Sequence, residues 1–313
     1  MPVQPQALHP PGRQRQRHAR GYLREPGMSA KPKQIVVDKD ALVGININDL
    51  CDFAQNHLML GCDTLLYECA TASKQEPRDM LERYKRFIKS GGYYCSCSIA
   101  FIQSEGKNCL PYSWFLPDLD ATEQIRTAEA RLEDLLDSTT CGEVSQPRYK
   151  VAKAIFLDLS AKLKNRINLE NPDVGKKIKD LTSDRFARFR VLFESIDARD
   201  LHQRSLDSFP HDWIRDETGF CLSPEWMSWQ LIRLTNAIVQ DYCYLRQMGG
   251  GKGDESAEHD YQDMEYVLLL NRVDGILTRD TKLVEPLARA AFPDKDVFSS
   301  LDEVPKDYVC NWT

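Results

Sequence analysis

Long apolar runs are missing from this chain. The longest uninterrupted one, Tyr266 to Leu270, falls far short of the roughly 20 residues that a membrane helix needs, so no membrane partner is expected. An excess of basic charge is missing too. Lys and Arg number 41 against 47 Asp and Glu, a net charge of −6, which excludes a uniformly basic nucleic-acid coat and leaves room for a local basic patch. Cysteines are present (Cys51, Cys62, Cys69, Cys95, Cys97, Cys109, Cys141, Cys221, Cys243 and Cys310), but none has the two-residue gap of a zinc knuckle. Cys95 and Cys97 enclose one residue, which is the wrong spacing for a structural zinc pair. The scatter predicts small buried side chains in a reducing, cytoplasmic setting. No internal repeat and no phosphate-binding glycine loop occur: Gly249 to Gly253 lacks the spacing and the hydroxyl residue of such a loop and reads as a linker.

What remains has ordinary globular composition, 42% hydrophobic and 28% charged, and the 313 residues suit two domains or one domain with a large insertion. Residues 1–32 differ from the rest. Proline alternates there with Arg13, Arg15, Arg17, Arg20 and Arg24, no acid precedes Glu25, and no apolar core of a secretory signal appears. A disordered tail, or translated sequence upstream of a start at Met28, is expected.

Ordered structure is predicted to begin at Gln34-Ile35-Val36-Val37, a β-branched run that reads as a buried parallel strand and ends on Asp38. A helix capped by Asp49, a strand at Leu58 to Cys62 and a helix from Thr64 to about Ser73 follow. Pro77 opens a further helix that Gly91 and Gly92 close, with Arg78, Arg83, Lys85, Arg86 and Lys89 off its apolar side. Tyr93 to Ile102 reads as extended, and Ala121 to Leu136 as an acidic amphipathic helix. Between Arg148 and Arg204 fourteen Lys and Arg face eight Asp and Glu, and Arg185, Arg188 and Arg190 flank a phenylalanine stripe. These three arginines are the candidate nucleic-acid contacts. After a helix from about Pro224 to Arg246, the last sixty residues return to α/β character. A helix from Asp260 to Asn271, a strand at Gly275 to Thr278, a helix from Lys282 to Ala291 and a strand at Asp296 to Ser299 are expected there.

Four acids stand where strand ends and helix starts bring side chains together: Asp38, Glu68, Asp263 and Asp280. In a parallel sheet such positions line one crevice. Converging carboxylates repel unless a positive group lies between them, and a hard divalent cation, Mg²⁺ or Mn²⁺, is the natural counter-charge for oxygen ligands. Ile35-Val36-Val37-Asp38-Lys39-Asp40-Ala41-Leu42, Leu65-Leu66-Tyr67-Glu68, and Asp263-Met264-Glu265-Tyr266-Val267 leading to Gly275-Ile276-Leu277-Thr278-Arg279-Asp280 together resemble the PIN domain nucleases. The resemblance covers about a third of the chain. It implies a three-layer α/β/α sandwich with a central parallel sheet, formed by residues 33–75 and 257–313 and interrupted by a mainly helical insertion at 76–256. It further implies a metal-dependent endoribonuclease in which Asp38, Glu68, Asp263 and Asp280 hold Mg²⁺ or Mn²⁺, with Thr278 orienting Asp280 or a water. Asp40 departs from the small polar residue usual in the family and, like Asp260, is a secondary candidate for the metal site; Asp260 competes with Asp263 for one place in the set. RNA is the expected partner, with a protein regulator or a second copy of the chain left open. Two other readings stand beside it: a catalytically inactive PIN-like module that binds RNA or protein, and a haloacid-dehalogenase-type phosphatase with Asp38 as nucleophile and Asp40 as acid.

Overall fold

The computed structural model describes residues 32–71, 77–96, 98–108, 117–127, 154, 184–195, 223–247 and 257–309. The arginine-rich tail, Cys97, the Gly249 to Gly253 stretch, the acidic helix beyond Thr127 and most of the basic segment before Asp184 lie outside them.

The sheet is built from β1 (Gln34–Val37), β2 (Leu58–Cys62), β3 (Tyr93–Cys95), β4 (Gly275–Leu277) and β5 (Asp296–Phe298), in the order β3-β2-β1-β4-β5. Every pairing is parallel, which makes this an α/β fold. Every residue of β1, β2 and β4 is buried, as expected for strands covered on both faces, and it explains why their sequences are continuous apolar runs rather than alternating ones. β3 extends the sheet into the segment read as insertion. Its register partner is β2, with Cys62 opposite Cys95.

Around the sheet lie α1 (Lys39–Gly44), α2 (Ile47–Ala54), α3 (Asp63–Thr71), α4 (Pro77–Lys89), α5 (Ser98–Asn108), α6 (Leu119–Thr127), α7 (Arg185–Ser195), α8 (Met227–Gln247), α9 (Ala257–Leu269) and α10 (Val284–Ala291). Two departures from the sequence expectation have local causes. Asn46, not Asp49, caps α2, because its side chain accepts the free Asn48 N–H at the helix start. The stretch Tyr93 to Ile102 is extended only to Cys95 and then turns into α5, whose first N–H groups find a buried acceptor: Glu265 takes Ser98 N at 3.1 Å and Ser98 Oγ at 2.5 Å. Short β-branched and aromatic runs suit either state, so tertiary capping decides.

α4 lies against β2 because Gly61 leaves room for it. A Cβ there would stand 2.8 Å from the Tyr84 ring, and the Tyr84 hydroxyl donates to Gly61 O at 3.1 Å. Gly91, at φ 135°, supplies the left-handed residue that ends the helix. Arg83 of the same helix is not a solvated charge. Its guanidinium donates to the carbonyls of Leu42 (2.7 Å), Val43 (3.2 Å) and Ile45 (2.6 Å), closing the end of α1. The helices α7 and α8, from the segment read as insertion, contribute Phe189, Leu192, Leu231, Leu234 and Ile238 to the same hydrophobic core as the strands. Among the described residues Cys51, Cys62, Cys69 and Cys95 are buried free thiols. No helix among them is long and apolar enough to cross a membrane.

Candidate functional site

The chain runs outward from β1 through β2 to β3, then crosses back to place β4 on the other side of β1. The strand order therefore reverses between β1 and β4. Outside the carboxyl ends of the strands at such a reversal, the loops diverge and leave a crevice. Val37 is in register with Leu277, so the next residues, Asp38 and Thr278, emerge side by side. In folds of this kind that bind phosphates directly, a glycine-rich turn fills this place. Here the turn reads Asp38-Lys39-Asp40-Ala41, and the crevice begins with acid.

Asp38 is 2% exposed. Its Oδ1 accepts Ala41 N at 2.7 Å, capping α1, and its Oδ2 accepts the Thr278 hydroxyl. Thr278 Oγ1 also accepts the Asp280 N–H at 3.1 Å, so this hydroxyl ties the two strand-end acids together. Burial pushes the Asp38 carboxyl up to about 7 in spite of these hydrogen bonds, and the charges of Asp40 and Asp280 push the same way. Asp280 itself accepts from Lys282 N (2.7 Å), Leu283 N (3.3 Å) and Val284 N (3.1 Å), the donors at the head of α10.

α9 brings the other acids. Asp263 is pushed up to about 8, first by burial and then by the charges of Asp280, Glu68 and Asp260, with Lys39 opposing. Asp260, one turn earlier, is pushed up to about 6 by burial and by Asp280 and Asp241, against the pull of Arg185. Its Oδ2 is buried with no hydrogen-bond partner. Glu68, buried on α3, pairs with Lys39 Nζ at 2.9 Å and accepts the Tyr266 hydroxyl. Although burial alone would lower it, the Lys39 ammonium is held above its ordinary value by Glu68, then Asp263 and Asp40. The four acids named from the sequence are thus linked by charge: Asp38 feels Asp280, and Asp263 feels both Asp280 and Glu68. Asp260 belongs with them. Asp40 is exposed on α1.

Among the described residues no three carboxylate, imidazole or thiol groups stand at the spacing of a coordination sphere. Whether a divalent cation suits the crevice is decided by its donors. They are oxygens throughout, one of them an orphaned buried oxygen, and their charges repel, which fits a hard cation.

The three arginines divide differently from the sequence expectation. Arg188 is 4% exposed, and its Nε lies 2.6 Å from Oδ1 of the fully buried Asp241. Arg185 Nε lies 3.3 Å from Asp241 Oδ2, its other end donates to Lys282 O at 2.7 Å, and its guanidinium sits over the Phe189 ring. Only Arg190 of the three is exposed, beside Glu194. A surface-contact role for Arg188 is therefore corrected: helical spacing put it on the buried side with Phe189 and Leu192, and charge alone concealed that. Sequence reasoning also missed Lys39 and Tyr266. Lys39 adjoins Asp38, and Tyr266 follows Asp263 by one helical turn, so the spacing was available.

Compared with protein-family models, curated proteins and solved structures, the chain has no match.

Proposed function

We propose that the chain is a PIN-like, Mg²⁺- or Mn²⁺-dependent nuclease that hydrolyses phosphodiester bonds within RNA. The observation that carries the reading is the convergence of the buried Asp38 and Asp260 and the part-buried Asp263 on Asp280 at the reversal of strand order, where the charge of Asp280 raises the proton affinity of all three. A fold does not keep such repulsion for stability; a site that takes up positive charge explains it. The three-layer sandwich goes with this reading, since α2, α3, α4 and α6 group together through α4 while α7, α8, α9 and α10 pack as a second set.

Asp38, Asp263 and Asp280 are the residues that would hold the ion, with Asp260 beside them; Glu68, the fourth acid named from the sequence, is paired with Lys39. A bound divalent cation supplies charge neutralisation at the scissile phosphate and lowers the pKa of a water. The chain's own part is pre-organisation. Thr278 and Ala41 N fix the two oxygens of Asp38, and the head of α10 fixes those of Asp280, so neither carboxylate loses rotamer freedom on binding. Arg279 and Lys282 are exposed on either side of Asp280 and stand ready for a phosphate backbone, as does Arg190 further along α7. Buried free thiols go with a cytoplasmic setting.

Labelled single-stranded and hairpin RNAs incubated with Mn²⁺ test this. The wild-type chain is expected to cut internally and to stop on chelation, while Asp38→Asn and Asp280→Asn lose cleavage by on the order of a hundredfold or more. The Lys39 ammonium on Glu68 favours a second reading, an inactive RNA-binding module. Intact RNA with measurable binding selects that reading; a phosphoenzyme on Asp38 selects the phosphatase.

A further inference from the structure

Glu68 is the acid of the crevice that the chain already neutralises. It is buried, its Oε1 lies 2.9 Å from Lys39 Nζ, and its Oε2 accepts the Tyr266 hydroxyl, so both oxygens are held by the protein itself. The opposite side of the crevice is different. Asp260 Oδ2 is buried with no hydrogen-bond partner, and Asp263 feels Asp280, Glu68 and Asp260 together. Lys39 cannot easily retire from its place. It follows Asp38 directly, on the first residue of α1, whose start is pinned by Asp38 and whose end is pinned by Arg83. A divalent ion on the Glu68 side would therefore face an ammonium held there by its ion pair with the buried Glu68.

Resting on the nuclease reading, we propose that Lys39 is a resident counter-cation that takes the place of a second metal ion: its ammonium neutralises Glu68, and the crevice admits a single divalent cation on the side of Asp38, Asp260, Asp263 and Asp280. Glu68 then acts through Lys39 and is not itself a metal ligand. Charge counting agrees. The Lys39–Glu68 pair is neutral, and the remaining carboxylates are enough for one ion with water completing its shell.

Titrating the full chain with MnCl₂ alone, without nucleic acid, tests the proposal. Calorimetry gives the stoichiometry, and the electron paramagnetic resonance signal of free Mn²⁺ gives the bound fraction. The wild type is expected to take up a single equivalent. Lys39→Met leaves Glu68 bare, so a second equivalent appears and the first binds about tenfold more tightly, whereas Lys39→Arg keeps the single equivalent. The charge-balanced double variant Lys39→Met/Glu68→Gln settles the matter should Lys39→Met fail to fold. It keeps a single equivalent within about threefold of wild-type affinity, because a neutral pair has replaced an ion pair. Two equivalents in the wild type, or a double variant that loses the ion, overturn the role of Lys39 while the metal site stands. A wild type that binds no Mn²⁺ at millimolar concentration overturns the nuclease reading as well.

Discussion

Asp263→Asn raises the melting temperature of the metal-free protein near pH 8 and leaves it unchanged near pH 4. The sign follows from proton linkage. The Asp263 carboxyl is pushed from an ordinary 3.8 up to about 8, so between those values the folded chain binds a proton that the unfolded chain has released. The folded state is thus at no disadvantage below about pH 4, is progressively disfavoured as the pH climbs from about 4 to about 8, and carries the whole penalty above that. Asn has the same shape and carries no charge at any pH, so it removes that penalty. Asp263 is only part-buried, and water screens some of the repulsion. On the order of 2 kcal/mol remains, or roughly 3 °C for a chain of this size. Asp38, pushed up to about 7, adds a smaller component of the same sign that ends at lower pH. Mn²⁺ reverses the comparison: it stabilises the wild type by mass action and leaves the variant where it was. Differential scanning fluorimetry across the pH range, with and without Mn²⁺, reads both effects. A variant that is less stable at every pH contradicts the account, because it makes Asp263 a structural acceptor.

Arg188→Met costs the protein about 3 kcal/mol, the largest stability loss expected from any of the arginines first read as RNA contacts. Asp241 is fully buried, and among the described residues removing Arg188 leaves it Arg185 as its cation, at 3.3 Å and with Nε outside hydrogen-bonding geometry. An uncompensated carboxylate in that place is the expensive part, not the lost attraction. Arg188→Met/Asp241→Leu is therefore expected to recover most of the loss. Roughly 5 °C in melting temperature separates the single variant from wild type. The slope of RNA affinity against salt does not change in it, since a buried guanidinium touches no phosphate. Arg190→Ala has the opposite profile, with unchanged stability and a flatter slope. Wild-type stability in Arg188→Met contradicts the buried pair.

These two expectations also mark how far the sequence could be read. The parallel sheet was legible because Ile35 to Val37 and Gly275 to Leu277 are short runs without a polar side chain, each reaching an acid within a few residues, and burial on both faces demands that pattern. The nearness of Asp38 and Asp280 was legible for the same reason, since adjacent strand ends converge. β3 and α5 were not. Tyr93 to Ile102 suits a strand throughout, and what ends the strand at Cys95 is a carboxylate 167 positions away, Glu265, receiving Ser98. The basic segment misled because sign of charge is visible in a sequence and side of helix is only half visible. Arg185 and Arg188 share a helix with Arg190 yet turn to a buried aspartate on α8, a partner with no signature in local spacing. Lys39 was in plain view and carried no role until Glu68 was found opposite it.

The central claim is that these acids hold a divalent cation. Crystals of the full chain grown with MnCl₂ and measured near the manganese absorption edge test it most directly. The account predicts an anomalous peak within coordination distance of Asp263 and of Asp38 or Asp280, about 2.1 to 2.3 Å from their oxygens, with Lys39 still on Glu68. No peak in the crevice at saturating Mn²⁺, with the carboxylates in their present positions, contradicts it.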